Sequence, residues 1–192
     1  MRHNPQRRTA LLDAAIEVLA REGSRGLTLR AVDAEAGVPT GTSSNYFTHR
    51  AQMLGQIMKR THERLTPDPD GLVRTLSAPP DRRLVARLLR EVHERMEGDR
   101  SSCLAMLELR LEGTRRPELG AELGRILAAE LENNIRFHLD KGLPGDRTDV
   151  VLLYVAVHGM IVDDLTAPAV LAGQAPALID QLTTRLLGPA AP

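Results

Sequence analysis

The chain has one cysteine, Cys103, among 192 residues. A lone cysteine excludes a disulfide framework or a multi-cysteine metal centre within one chain. Aromatic residues are nearly as scarce, with two Tyr, two Phe and no Trp. The interior must therefore be filled by Leu, Ala, Val, Ile and Met, a palette that suits helix on helix. The only lysines are Lys59 and Lys141, so arginine carries almost all the positive charge. No apolar run reaches the roughly 20 residues that a membrane span requires. The longest, 150–162, is broken by Tyr154, His158 and Gly159. The charged N-terminus leads into no apolar segment of signal-peptide type, so a cytoplasmic location is expected and no membrane contact.

Enzyme signatures are missing too. GTSSN, at Gly41, lacks the second glycine of G-x-S-x-G. HERLT at His62 and HERME at His93 both lack the second histidine of H-E-x-x-H. There is no Walker A loop, and GAELG at Gly120 sits inside a helical pattern, not after a strand. No catalytic residue, cofactor or metal ligand is expected, and the chain is read as a non-enzyme.

What remains is helical periodicity. Leu12, Ala15, Ile16 and Leu19 recur at i, i+3, i+4, i+7 in the first helix, 7–22. Leu54, Ile57, Met58 and Leu65 line another, 50–65, for which Thr48 is the expected N-cap. TPDPDG, 66–71, is the strongest breaker in the first half and the expected domain boundary. Beyond it, Leu84, Leu88, Val92 and Met96 form one row, and Leu104, Leu107 and Leu111 another. Leu119 to Leu139 recur every four residues in a long helix opened by Pro117. Two apolar helices follow, about 149–165 and 176–187, before a GPAAP tail. The expected fold is all-α with about nine or ten helices.

Formal net charge is zero, but the average hides an asymmetry. Residues 1–65 hold 10 Arg and Lys against 6 Asp and Glu, a balance of +4. Residues 66–192 hold 15 against 19, a balance of −4. A basic end joined to an acidic body suits nucleic-acid contact at one end only.

The stretch 28–46, TLRAVDAEAGVPTGTSSNY, lies in that basic end. Thr28 is a good N-cap, Val32 and Ala36 share a face, and Gly37 is a natural C′ residue. A second short helix is expected over 40–46. It holds almost nothing but small and polar residues, which belong outside a core. Helix, glycine turn and polar second helix make a helix-turn-helix pattern. Its hydroxyls, amide and phenol are groups that hydrogen-bond phosphates and base edges.

This stretch and its surroundings resemble the TetR family of bacterial transcriptional regulators. The likeness runs through RTALLDAAIEVLAREG (8–23), LTLRAVDAEAGV (27–38), GTSSNYF (41–47) and R-x-x-M-L (50–54), about a third of the chain. The resemblance implies a three-helix DNA-binding domain, 5–65, with its motif at about 28–47. A helical bundle, 72–188, would then bind a ligand and dimerise. The implied function is a repressor released from a palindromic operator on double-stranded DNA by a small-molecule effector. The competing class is a helical small-molecule-binding protein, or an enzyme, with an incidental helix-turn-helix domain. The missing catalytic constellation weighs against it.

Candidate DNA contacts are Thr40, Gly41, Thr42, Ser44, Asn45 and Tyr46, with His49 and Arg50 after them and Arg8 and Arg30 before. Asn45 can pair bidentately with adenine. Tyr46 and Arg50 match family positions that meet phosphates. Ser43-Ser44 stands where members usually carry Leu-Tyr, removing an apolar anchor and a phosphate contact. Candidate ligand contacts are the polar or soft residues among the apolar rows: Met96, Cys103, Met106, Arg110, His138, Tyr154 and His158. The resemblance implies that the last two helices pair with their copies in a four-helix homodimer interface. Asp163 and Asp164 oppose the macrodipole of their helix and are expected to pair with arginine across an interface.

Overall fold

Apolar stripes at the helical period account for most of the elements. The computed structural model describes residues 4–188, and among these there are nine α-helices and no strand. They are α1 (Pro5–Gly26), α2 (Leu29–Glu35), α3 (Arg50–Leu65), α4 (Pro69–Thr75), α5 (Arg82–Gly98), α6 (Arg100–Gly113), α7 (Pro117–Asp140), α8 (Arg147–Thr166) and α9 (Ala175–Leu187). None is long and apolar enough to cross a membrane. The expected tail lies outside the described residues from 189 onward.

Helix starts follow their capping chemistry. Asn4 Oδ1 accepts from the Gln6 and Arg7 amides, and Pro5 fills the first position of α1, where no N–H is needed. Asp68 and Pro69 use the same device to open α4, so the TPDPDG breaker also starts a helix. Asp146 and Asp149 form a reciprocal capping box on α8. Two caps differ from expectation. His49, rather than Thr48, caps α3 by accepting from the Gln52 amide, while Thr48 donates to the Gln52 side chain. Asp99 caps α6, although the sequence offers Ser101 and Ser102 as openers of that helix. A carboxylate is the stronger acceptor where both types are in reach.

The chain divides into two compact units, and the division does not follow sequence order. The first joins the described part of Met1–Thr66 to Asp99–Arg125; the second joins Pro67–Gly98 to the described part of Ile126–Pro192. In the first unit α6 packs on α1 and α3, and α2 packs on α1. Its core holds Leu11, Ile16, Leu19, Leu27, Val32, Phe47, Leu54 and Ile57, all essentially without exposure. Helix α6 buries Ser102, Cys103, Ala105, Leu109 and Glu112 rather than the expected row, and Leu111 is exposed.

Asp99 ties this unit together. Its carboxylate caps α6 and accepts from the Arg64 Nε and Nη2 at 2.8 and 2.7 Å. Burial alone would push the Asp99 pKa up. The bonds from Arg64 and Ser102 outweigh it, and the group stays below its ordinary 3.8. A folded pKa below the unfolded one stabilises fully above the unfolded value and is lost as pH falls through the folded value. Melting temperature should therefore fall with pH below about 4. An Asp99→Asn variant, measured over the same range, should be less stable at neutral pH and show a flatter acid limb. Parallel limbs would remove Asp99 from this account.

In the second unit α5 packs on α8 and α9, and α8 packs on α9. Leu84, Val85, Leu143 and Leu153 form the core, with Phe137, Leu182 and Leu186 against it. Arg82 donates to the Gly188 carbonyl, and Arg90 pairs with Asp180, tying α5 to the middle and to the C-terminal end of α9.

Candidate nucleic-acid interface

The Thr28 hydroxyl accepts from the Ala31 amide at 3.1 Å and fixes the start of α2. Gly37 closes the helix at φ +63°, a conformation that a Cβ would disfavour. The chain then turns through Val38 and Pro39 to the polar stretch.

That stretch departs from the expected helix. Only Ser43–Asn45 is helical, as one 3-10 turn, and Gly41 before it sits at φ +94°. The side chains explain why. The Thr42 hydroxyl donates to the Pro39 carbonyl at 2.6 Å, and the Ser44 hydroxyl to the Gly41 carbonyl at 2.6 Å. Such bonds compete with a regular helix ladder. The turn still closes on itself, with Tyr46 and Phe47 amides both on the Ser43 carbonyl at 2.9 Å.

A buried carboxylate shapes the turn. Asp33, on the inner face of α2, is 1% exposed. Its Oδ2 accepts from the Gly41 amide and its Oδ1 from the Ser43 amide, both at 2.7 Å. Ser43 is fully buried, so the missing apolar anchor is replaced by a bidentate grip on the backbone. The Ser43 hydroxyl itself has no partner. Asp33 was not singled out from the sequence. The available signal was a charged residue beside Val32 on the inward side of a seven-residue helix.

Around this turn, Arg30, Thr40, Gly41, Ser44, Asn45 and His49 are exposed, and Thr42 and Tyr46 are half-buried. Asn45 donates one amide hydrogen to the Gly41 carbonyl at 3.3 Å, which leaves its carbonyl oxygen and second hydrogen to face a partner. Two arginines are engaged internally. Arg8 Nε donates to Gln56 at 2.9 Å and joins α1 to α3. The Arg50 guanidinium binds the Leu27 carbonyl and both the carbonyl and hydroxyl of Ser24. Its charge also acts on Glu112. Burial pushes that carboxyl up most strongly, but Arg116, Ser24 and Arg50 together hold it below the carboxylate range. Replacing Arg50 therefore disturbs the joint between α1, α2 and α3 as well as any phosphate contact.

The profile described as "Bacterial regulatory proteins, tetR family" matches residues 11–57, and "Tetracyclin repressor-like, C-terminal domain" matches 80–189, more than half the chain. The chain belongs to the TetR family. The transcriptional regulator BetI of Brucella suis is 25% identical over 137 residues, which are 71% of this chain and 68% of that protein. A TetR-family structure from Streptomyces coelicolor is 26% identical with TM-score 0.66, covering 96% of this chain and all of that one. The multidrug binding protein EbrR, solved with ethidium, is 28% identical with TM-score 0.64, covering 95% and 99%. The protein is a DNA-binding transcriptional regulator of TetR type, and the turn held by Asp33 lies within the span matched by the N-terminal family model.

The residues named as candidate ligand contacts of this TetR-type chain do not share one unit. Cys103, Met106 and Arg110 lie in the first, and Met96, His138, Tyr154 and His158 in the second. Burial pushes the Cys103 thiol up to about 11, aided by the charge of Asp99, so it is a neutral thiol. His138 is buried with Nε2 2.8 Å from the Pro144 carbonyl, the role of a loop tie. Tyr154 and His158, one turn apart on α8, have ring centroids 4.3 Å apart.

Proposed function

We propose that the protein is a homodimeric repressor whose two recognition turns read a palindromic operator, and that a small-molecule effector releases it. The reading role falls to 5–65 and the sensing and dimerising roles to 72–188, with α6 supporting the reader. The observation that carries the proposal is the exposed polar turn held on a buried carboxylate. A turn fixed in this way offers its hydrogen-bonding groups to a groove without first having to order itself. Two such turns spaced by roughly 34–36 Å would occupy successive major grooves.

Dimerisation is supported by α8. Leu152, Val155 and Gly159 are exposed and Val162 half-buried on one stripe, while Val150, Leu153 and Val157 are buried on the opposite side. An exposed apolar stripe with a glycine is suited to close packing on a second copy. The outward residues of α9, among them Ala177, Gln181 and Thr184, are small or polar and would form its margin.

A small-molecule effector is supported by the likeness to EbrR, a multidrug binding protein solved with ethidium. Tyr154 and His158 flank the α8 stripe and are the first residues to test for effector contact. The chain passes between the two units three times, at 66–67, 98–99 and 125–126, so a shift in one has covalent routes to the other. Such coupling is typically about 1–3 kcal/mol and acts equally in both directions.

The deciding experiment is selection of bound DNA from a random pool with purified protein, followed by a screen of small molecules for release. A palindrome and at least one releasing compound are expected; a non-palindromic or sequence-indifferent pool would overturn the operator reading. On the selected site, Tyr46→Ala should weaken binding and lower the slope of log affinity against log salt by about one unit, as for one lost phosphate contact. An unchanged slope would take Tyr46 out of the phosphate interface.

A further inference from the structure

The last turns of α5 and α8 bring together one imidazole and two carboxylates. His93 and Glu97 stand one turn apart on α5, and Asp164 lies in the last turn of α8. The His93 ring is buried, with Nε2 2.7 Å from Asp164 Oδ2 and Nδ1 3.7 Å from Glu97 Oε2. One donor atom from each of the three lies within 4.8 Å of the other two. We propose that His93, Glu97 and Asp164 form a binding site for a divalent first-row transition-metal ion, with zinc the best fit.

The electrostatics of the two helix ends favour a cation. Glu97 is the penultimate residue of α5, and Asp164 is two residues from the end of α8. Backbone carbonyls concentrate partial negative charge at a helix C-terminus, so a carboxylate there is unfavourable and a cation favourable. Here two such ends each add a carboxylate to the same small volume, and a neutral imidazole supplies the third ligand. A dication cancels the formal charge of the set.

The donor types narrow the ion. Imidazole suits zinc, iron, copper and nickel, while carboxylate oxygens alone would suit magnesium or calcium. Metal–ligand bonds of about 2.0–2.2 Å place donor atoms roughly 3–3.5 Å apart. An imidazole gives one nitrogen to one ion. With His93 Nε2 as the donor and Asp164 2.7 Å from it, exposed Glu97 has to swing from its place near Nδ1 to complete the set. It starts from a point at which one donor atom of each residue already lies within 4.8 Å of the others. Three protein ligands leave a position open for water or an effector group, as in non-structural zinc sites. Bound metal would pin the C-terminal end of α5 to that of α8. The sequence reading expected no metal because the third ligand lies 71 positions from His93 and belongs to no local motif.

The test uses full-length, untagged protein stripped with a chelator and titrated calorimetrically with Zn²⁺. One ion per chain is expected. Glu97→Gln and Asp164→Asn should each weaken uptake more than about tenfold, since even loss of a residue that only supports a ligand costs that much. Circular dichroism checks that each variant folds. Glu97 is exposed, so its variant decides the matter should Asp164→Asn fail to fold. No stoichiometric uptake by the wild type, or wild-type affinity in either folded variant, overturns the site. This outcome is independent of whether an operator or an effector is found.

Discussion

An Asp33→Ala protein should bind its operator about 30-fold more weakly than wild type, or worse, while keeping its helical content. The carboxylate accepts two backbone bonds of 2.7 Å from Gly41 and Ser43. Its removal leaves the fully buried Ser43 amide without its acceptor, and a stranded buried donor costs about 1–3 kcal/mol. The exposed Gly41 amide can turn to water, so its share is smaller. Apart from buried Phe47 at its end, the turn's remaining bonds are internal, from its hydroxyls and amides to its own carbonyls, so the carboxylate is its main polar tie to α2. About 2 kcal/mol needed to re-form the turn on DNA is roughly a 30-fold loss of affinity. Asp33→Asn keeps one acceptor oxygen but sets an amide donor against the other N–H, so it should fall between. Ser43→Ala is the control. It removes a hydroxyl that has no partner while leaving the backbone amide in place, and should be near neutral. Wild-type affinity in Asp33→Ala, or equal losses in Asp33→Ala and Ser43→Ala, would refute the role given to the carboxylate.

That role also marks where sequence reasoning stops. The first helix and the cap at Thr28 were legible because they depend on neighbours within four residues, although α1 runs on to Gly26 across a kink at Gly23 rather than stopping at about residue 22. The inward face of α6 was not. Leu104, Leu107 and Leu111 make a plausible row, yet α6 lies against α1 and α3 and buries Cys103, Ala105 and Leu109. Which side of a helix is inward depends on partners far away in sequence, such as Glu17, 84 residues from the Ser101 that donates to it. The recognition turn failed for the opposite reason. Its residues are so small and polar that local side-chain bonds, Gly41 at positive φ and a carboxylate ten residues upstream outweigh helix propensity. Arg50 shows the same limit at a site residue. Its sequence position suggests a free phosphate contact, whereas the fold sets its guanidinium on the carbonyls of Ser24 and Leu27. The TetR-type identity survived these misses because it rests on the order of four motif blocks, not on any one side chain.

The other large effect should come from α8. A Leu152→Asp, Val155→Asp double variant should sediment as a monomer at micromolar concentration and bind a full operator on the order of 10²–10⁴-fold more weakly. Both side chains are exposed, at 47% and 60%, so neither substitution creates a buried charge in the folded chain. In a dimer the same positions would be desolvated against their copies, and four facing carboxylates would repel at close range. Loss of affinity follows from valency alone. In the dimer, the second half-site is engaged at the effective concentration set by the first, and a monomer loses that advantage without losing any base contact. Affinity for an isolated half-site should therefore be unchanged, which separates this variant from Asp33→Ala, where half-site and full-site binding fall together. A double variant that still sediments as a dimer would move the interface off this stripe, and one that is monomeric yet binds the full operator normally would show that each recognition turn acts alone.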